Sequence, residues 1–198
     1  MNAARQRTIG RLERQKAELI RRLEAWPQDW LTFKPAPAAW SVLEVIDHVR
    51  KTELAVLRSC ERSLKTRKDA VTPSESVKAR LLLAMLRLPI RLEVPEPVSF
   101  VRPDHVTSFQ DVLDSWSVER LLLREFVGAF MRIAENVGLV FHPAVGWMNL
   151  GTTLKFLSVH LRHHEYQLQR IKKACERTAP LGKKKVLGSR DTSTDGAF

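Results

Sequence analysis

The sequence has little of several things, and each shortage excludes a class. Two cysteines among 198 residues, Cys60 and Cys175, cannot staple a small secreted fold. A reducing cytoplasm is therefore the expected setting. Long apolar runs are missing. The most apolar stretch, residues 81–90, is interrupted by Arg87 and Pro89 and is too short to cross a bilayer. No apolar segment follows the charged N-terminal residues, so no signal peptide is read and no membrane is expected as a partner. There is a single tyrosine, and the five tryptophans sit in apolar patterns and not among basic residues. A nucleic-acid surface would interleave the two or carry a reader motif. Acidic residues are also short, 22 against 33 Lys and Arg, leaving a formal charge of +11. That field favours anionic substrates or polyanions. Much of it lies at the ends: residues 1–23 hold seven basic residues and two acidic ones, and Lys183, Lys184 and Lys185 stand together near the end.

What is present is helical periodicity. Ile9, Leu12, Leu19, Ile20, Leu23 and Trp26 share a face, which predicts a helix over 8–26 stopped by Pro27. Ser41 and Glu44 form a capping-box pattern opening a helix to about residue 65. A shorter helix is expected over 75–88. Prolines 89, 95, 97 and 103 then mark an extended connector, read as covering one end of the domain. Ser108 with Asp111 predicts a helix to about 137, with Gly138 as its cap. A last helix is expected over 151–177. No strand alternation is evident. The fold class expected is all-α: a four-helix bundle with an additional short helix and a long connector between the second and third main helices. Residues 1–180 form the bundle and 181–198 a basic, disordered tail.

Bundles place metal and ligand sites between facing helices, so the histidines matter. His160 and His164 are i and i+4, one turn apart on a face shared with Thr153, Phe156, Leu157, Leu161 and Leu168. Two imidazoles inside a buried stripe converge well on one divalent ion. A third ligand must come from another helix, and His48 qualifies. Its column, Ser41, Glu44, Thr52, Ala55 and Ser59, is small or polar and suits the wall of a cavity. His163 falls at the stripe's edge, as an outer donor or a partly exposed ring. His105 and His142 fall in loops, outside the candidate set.

Two motifs carry a family resemblance. Residues 37–48, Pro-Ala-Ala-Trp-Ser-Val-Leu-Glu-Val-Ile-Asp-His, followed by Glu53, resemble the first signature of the DinB/YfiT-like superfamily. His160-Leu-Arg-His-His-Glu-Tyr-Gln167 resembles its second, HxxHHxxQ, with the lead-in Gly146-Trp147-Met148-Asn149-Leu150. The resemblance spans about residues 8–177. It implies a bundle holding a divalent metal on His48, His160 and His164, the three that helical geometry selects independently. Imidazole does not choose among Zn, Ni and Fe. The implied chemistry is metal-dependent hydrolysis or low-molecular-weight-thiol-dependent S-transfer. The partner expected is a small molecule, anionic or a thiol. The connector of residues 66–107 and the basic tail depart from the family pattern.

Two residues are weak candidates for catalysis. Gln167, in the same stripe, either orients a ligand or substrate or is a core amide. Glu119 falls inside the buried face of its helix and needs a partner. That partner is either a histidine, whose ring it would orient, or Arg120 or a basic residue of the first helix. Cys60 and Cys175 read as core. The rival reading is a non-enzymatic basic helical protein binding nucleic acid or another polyanion, with the metal structural or absent. Self-association through the first and last helices, as a homodimer, is a further expectation.

Overall fold

The structure, a computed structural model, describes residues 3–66, 69–104, 108–129 and 136–178. His105 and the tail from 179 lie outside them. The element order is α1 (Ala3–Glu24), α2 (Gln28–Thr32), α3 (Val42–Thr66), α4 (Pro73–Met85), a 3₁₀ turn (Glu96–Val101), α5 (Phe109–Ala129), β1 (Val140–His142), β2 (Gly146–Met148) and α6 (Leu150–Thr178). The four long helices, α1, α3, α5 and α6, make the bundle. Helix α3 packs on α5 and α6, and α1 packs on α6. The expected all-α fold is present, and α4 is the additional short helix.

The helix starts follow local chemistry. At α3, Ser41 N–H donates to Glu44 Oε2 (2.7 Å) and Glu44 N–H to Ser41 Oγ (3.3 Å), the capping box expected. Lys34 Nζ adds a contact to Glu44 Oε1 at 2.7 Å. At α5, Asp111 N–H donates to Ser108 Oγ at 3.1 Å. The expected extension of α5 to 137 reaches Ala129 here, and residues 130–135 lie outside the described ones. Gly138, expected as the cap, donates its N–H to Asp69 O at 3.1 Å. Helix α4 opens one turn's edge earlier than expected, on a second capping box between Thr72 and Glu75 with Pro73 inside it.

The strands were not expected. β1 and β2 form an antiparallel hairpin pairing Val140 with Met148 and His142 with Gly146. Three residues per strand are too few for alternation to register. The hairpin is tied from outside. Glu75 Oε1 accepts the Trp147 N–H at 2.8 Å, and Gly146 sits at φ 92° with its absent side chain facing that carboxylate. A Cβ there would lie 2.5 Å from Glu75 Oε1.

Two apolar clusters occupy the two ends of the bundle. One joins Leu12, Val56, Cys60, Leu123, Leu154 and Leu157 with the hairpin's Val140 and Met148. The other joins Leu19, Leu23, Val45, Ile46, Trp116, Leu161 and Leu168. Between them every long helix contributes polar residues. Gln15 and Ser158 bond reciprocally across α1 and α6, with Gln15 Nε2 donating to Ser158 O (3.2 Å) and Ser158 Oγ donating to Gln15 Oε1 (2.8 Å). Arg120 of α5 pairs with Glu53 of α3, both 3% exposed. His48, His160, His163 and His164 are buried too; along α3 and α6, His48 and His164 fall among residues of the second cluster, Val45, Ile46 and Val49 on one helix and Leu161 and Leu168 on the other. The candidate site therefore lies beside the second cluster, next to these buried polar pairs.

Candidate metal centre

The three predicted histidines come together. His48 projects from the second turn of α3, and His160 and His164 from the middle of α6. His160 Nε2 lies 3.3 Å from His48 Nε2 and 3.1 Å from His164 Nε2. Their ligand nitrogens all lie within 4.8 Å of one another. All three rings are buried.

Two of the rings are held from behind by acceptors. His48 Nδ1 lies 2.9 Å from the carbonyl oxygen of Val101, at the end of the 3₁₀ turn. A carbonyl only accepts, so the His48 proton is on Nδ1 and Nε2 is a bare lone pair. His164 Nδ1 lies 2.9 Å from Gln167 Oε1, which fixes the same tautomer. The Trp40 ring packs on His48 (centroids 5.0 Å), and Phe156 stacks on His160 (5.3 Å). Carbonyl or amide acceptors behind a histidine are the usual means of aiming a ligand nitrogen.

The donor set suits a cation. Two bare Nε2 atoms face His160 Nε2, which has at most one proton to offer. At least one buried lone pair is left facing nitrogen, an arrangement that a positive ion relieves. Tetrahedral zinc with Zn–N bonds of about 2.0–2.1 Å sets its ligand nitrogens about 3.3 Å apart, close to the 3.3 and 3.1 Å seen. The electrostatics agree. Burial, then the neighbouring imidazoles His164 and His48, hold His160 well below the ordinary histidine range. Burial, then His48, brings His164 down to about 3. Burial also lowers His48, against the Val101 hydrogen bond. The rings are neutral at pH 7, the form that binds metal.

The remaining candidates are placed as follows. Gln167 stands behind His164 as an acceptor. Among the described residues Glu119 hydrogen-bonds neither a histidine nor Arg120, and Lys16 of the first helix feels its charge without bonding it. Its Oε1 pairs with Arg50 Nη1 of α3 at 2.5 Å, and Arg50 also holds Asp47 at 2.8 Å. The histidine and Arg120 alternatives read from sequence are corrected on this point, because Arg120 is taken by another carboxylate and the direct ion pair is to Arg50. Glu53 accepts from Arg120 Nε (2.9 Å) and from Trp116 Nε1 (2.8 Å). Burial raises the Glu119 carboxyl, with Arg50 opposing.

His163 is buried, not exposed, with Nδ1 3.2 Å from Leu86 O beyond α4. His142 lies on β1, accepts the Ala144 N–H at Nδ1 (3.2 Å) and packs on Phe156, outside the three-nitrogen cluster. Both cysteines are buried and free, and burial pushes Cys60 up to about 12. Sequence reasoning missed Val101. A backbone carbonyl leaves no residue signature, and only the proline-rich connector around it was visible.

Fold and centre together define a helical bundle with a buried three-imidazole donor set between α3 and α6. The chain belongs to the DinB superfamily, whose family model matches residues 11–168. Among solved structures it is similar to YfiT from Bacillus subtilis, described as a probable metal-dependent hydrolase with an unusual four-helix bundle topology. The identity is 15%, the match covers 89% of each chain, and the TM-score is 0.57. A likeness at that identity is one of fold. No curated protein matches the chain.

Proposed function

We propose that the protein is a metal-dependent hydrolase acting on a small molecule, with one divalent ion held by His48, His160 and His164. The observation that carries this reading is the convergence of three neutral Nε2 atoms, two of them with their outer nitrogens pinned by acceptors. When bound, such an ion supplies Lewis acidity sufficient to generate a nucleophile from water or a thiol at neutral pH. The chain's own part is positional. Val101 and Gln167 hold the tautomers, Trp40 and Phe156 hold the rings, and burial keeps protons from competing for the nitrogens. The description of YfiT supports hydrolysis over thiol transfer. The described aromatic residues Trp26, Trp30 and Trp40 lie against the core and lend no support to a nucleic-acid surface.

The test is turnover of an ester and amide panel by protein reconstituted with Zn, Ni or Fe, with and without a low-molecular-weight thiol. Hydrolysis that needs the ion and no thiol is expected, and it disappears in His160→Ala. Consumption of an electrophile only when thiol is present would replace the hydrolase reading with S-transfer. No turnover with a fully loaded centre would favour a structural ion.

A further inference from the structure

Helix α4 is apolar on two opposite sides. Its inner side, Ala79, Leu82 and Leu83, is buried on the bundle. Its outer side is not covered. Val77, Leu81 and Met85 follow at intervals of four and are 53%, 66% and 38% exposed. At 100° per residue they fall within one narrow stripe. Leu88, 52% exposed, continues the row in the turn beyond α4, and Ile90 and Leu92 extend it at 38% and 41%. A surface helix ordinarily turns a polar face outward, so this stripe requires an account.

The charges along it are predominantly basic, with Glu75 at the start of α4 and the exposed Glu93 just beyond Leu92 as the acidic neighbours. Residues 76–92 contain Lys78, Arg80, Arg87 and Arg91 and no Asp or Glu. On the helical wheel Lys78 borders the stripe on one side, and Arg80 and Arg87 border it on the other. All four are exposed. None is in an ion pair with another described residue. A second copy is a poor occupant. A two-fold contact sets the same patch against itself and would bring four cations against four. A shaped protein groove is also a poor match, because the apolar row leaves the helix after Met85 and runs on through an irregular, proline-bearing segment.

We propose that this outer face of α4, with residues 86–92, docks on a membrane surface rich in anionic lipid. The apolar row enters the level between headgroups and acyl chains, and the flanking Lys and Arg reach the phosphates. No described helix is long and apolar enough to cross a bilayer. The expectation that no membrane is a partner is therefore narrowed to no crossing. This surface contains none of the three histidine ligands, although its Leu86 carbonyl meets His163, the neighbour of His164, at 3.2 Å.

The experiment is co-sedimentation of the full chain with phosphatidylcholine vesicles, alone or containing about 30% phosphatidylglycerol. The expected result is binding to the anionic vesicles, stronger than to the neutral ones by at least about tenfold and weakened by salt. Leu81→Glu with Leu88→Glu should reduce that binding by at least about tenfold while circular dichroism and the thermal transition stay as in the parent. Lys78→Gln with Arg80→Gln and Arg87→Gln, which keeps the apolar row, should flatten the salt dependence. Absence of binding by the parent overturns the proposal. So does a double-Glu variant that binds as the parent does, which would assign the attraction to the general positive charge of the chain. A parent that sediments as a dimer and becomes monomeric in the double-Glu variant would make a second copy the occupant.

Discussion

His164 shows how one side chain is prepared for its task. Burial and the nearby His48 ring bring it from the ordinary histidine value to about 3, and His160 and His48 are lowered in the same sense. The sign of the linkage follows. A group whose protonation is suppressed in the folded state stabilises the fold fully above its unfolded pKa of about 6.5, and that stability is lost as pH falls below it. Chelator-treated protein should therefore lose urea resistance between about pH 6.5 and pH 3, and His164→Ala should show a shallower loss. Equal slopes in the two proteins would count against neutral burial of this ring. Glu53 makes a second case. It is paired in the belt with Arg120, and both are 3% exposed. Arg120→Met leaves a buried carboxylate without its cation and should cost about 3–5 kcal/mol in chemical denaturation. Glu53→Leu with Arg120→Met should recover most of that. The histidine trio was legible in the sequence because i,i+4 spacing and an apolar stripe mark buried polar groups. The partner of Glu119 was not legible. The periodicity of α5 places Glu119 on the buried face, but only packing decides which carboxylate of α3 and α5 meets which arginine.

At the scale of elements, the caps were the most readable feature, since a capping box is written within four residues. Ser41→Ala removes one acceptor at the start of α3, the helix that carries His48, and should cost about 1 kcal/mol. For a chain of this size that is a fall of about 2–4 °C in the thermal midpoint. A larger loss of metal affinity than of stability would show that the α3 terminus also aims His48. The hairpin and the 3₁₀ turn were not readable. Each is short, and each is held by distant groups: Glu75 for the hairpin and α3 for the turn. Gly146→Ala is the corresponding test. Its Cβ would meet Glu75 Oε1 at 2.5 Å from a backbone at φ 92°, so a loss of about 1–3 kcal/mol is expected. Unchanged stability would mean that the hairpin shifts freely and does not depend on Glu75.

On the scale of the whole molecule, the bundle separates its apolar core into two clusters with a polar belt between them. Alternation along each helix gave no hint of this layering. It arises because Gln15 meets Ser158, Lys16 meets Ser117 and Glu53 meets Arg120 only once the four helices are aligned. A belt of buried polar groups weakens a bundle unless its partners are complete, and three imidazoles without a cation are incomplete. Metal binding and folding are therefore coupled, and saturating metal should raise the thermal midpoint in proportion to the logarithm of its excess over Kd. The most direct measurement is metal content by elemental analysis on untagged protein prepared without chelator, beside His48→Ala, His160→Ala and His164→Ala. About one divalent ion per chain is expected in the parent, lost in each variant. A parent without metal that also takes up none when Zn, Ni or Fe is offered would contradict it, as would full metal content in any of the three variants.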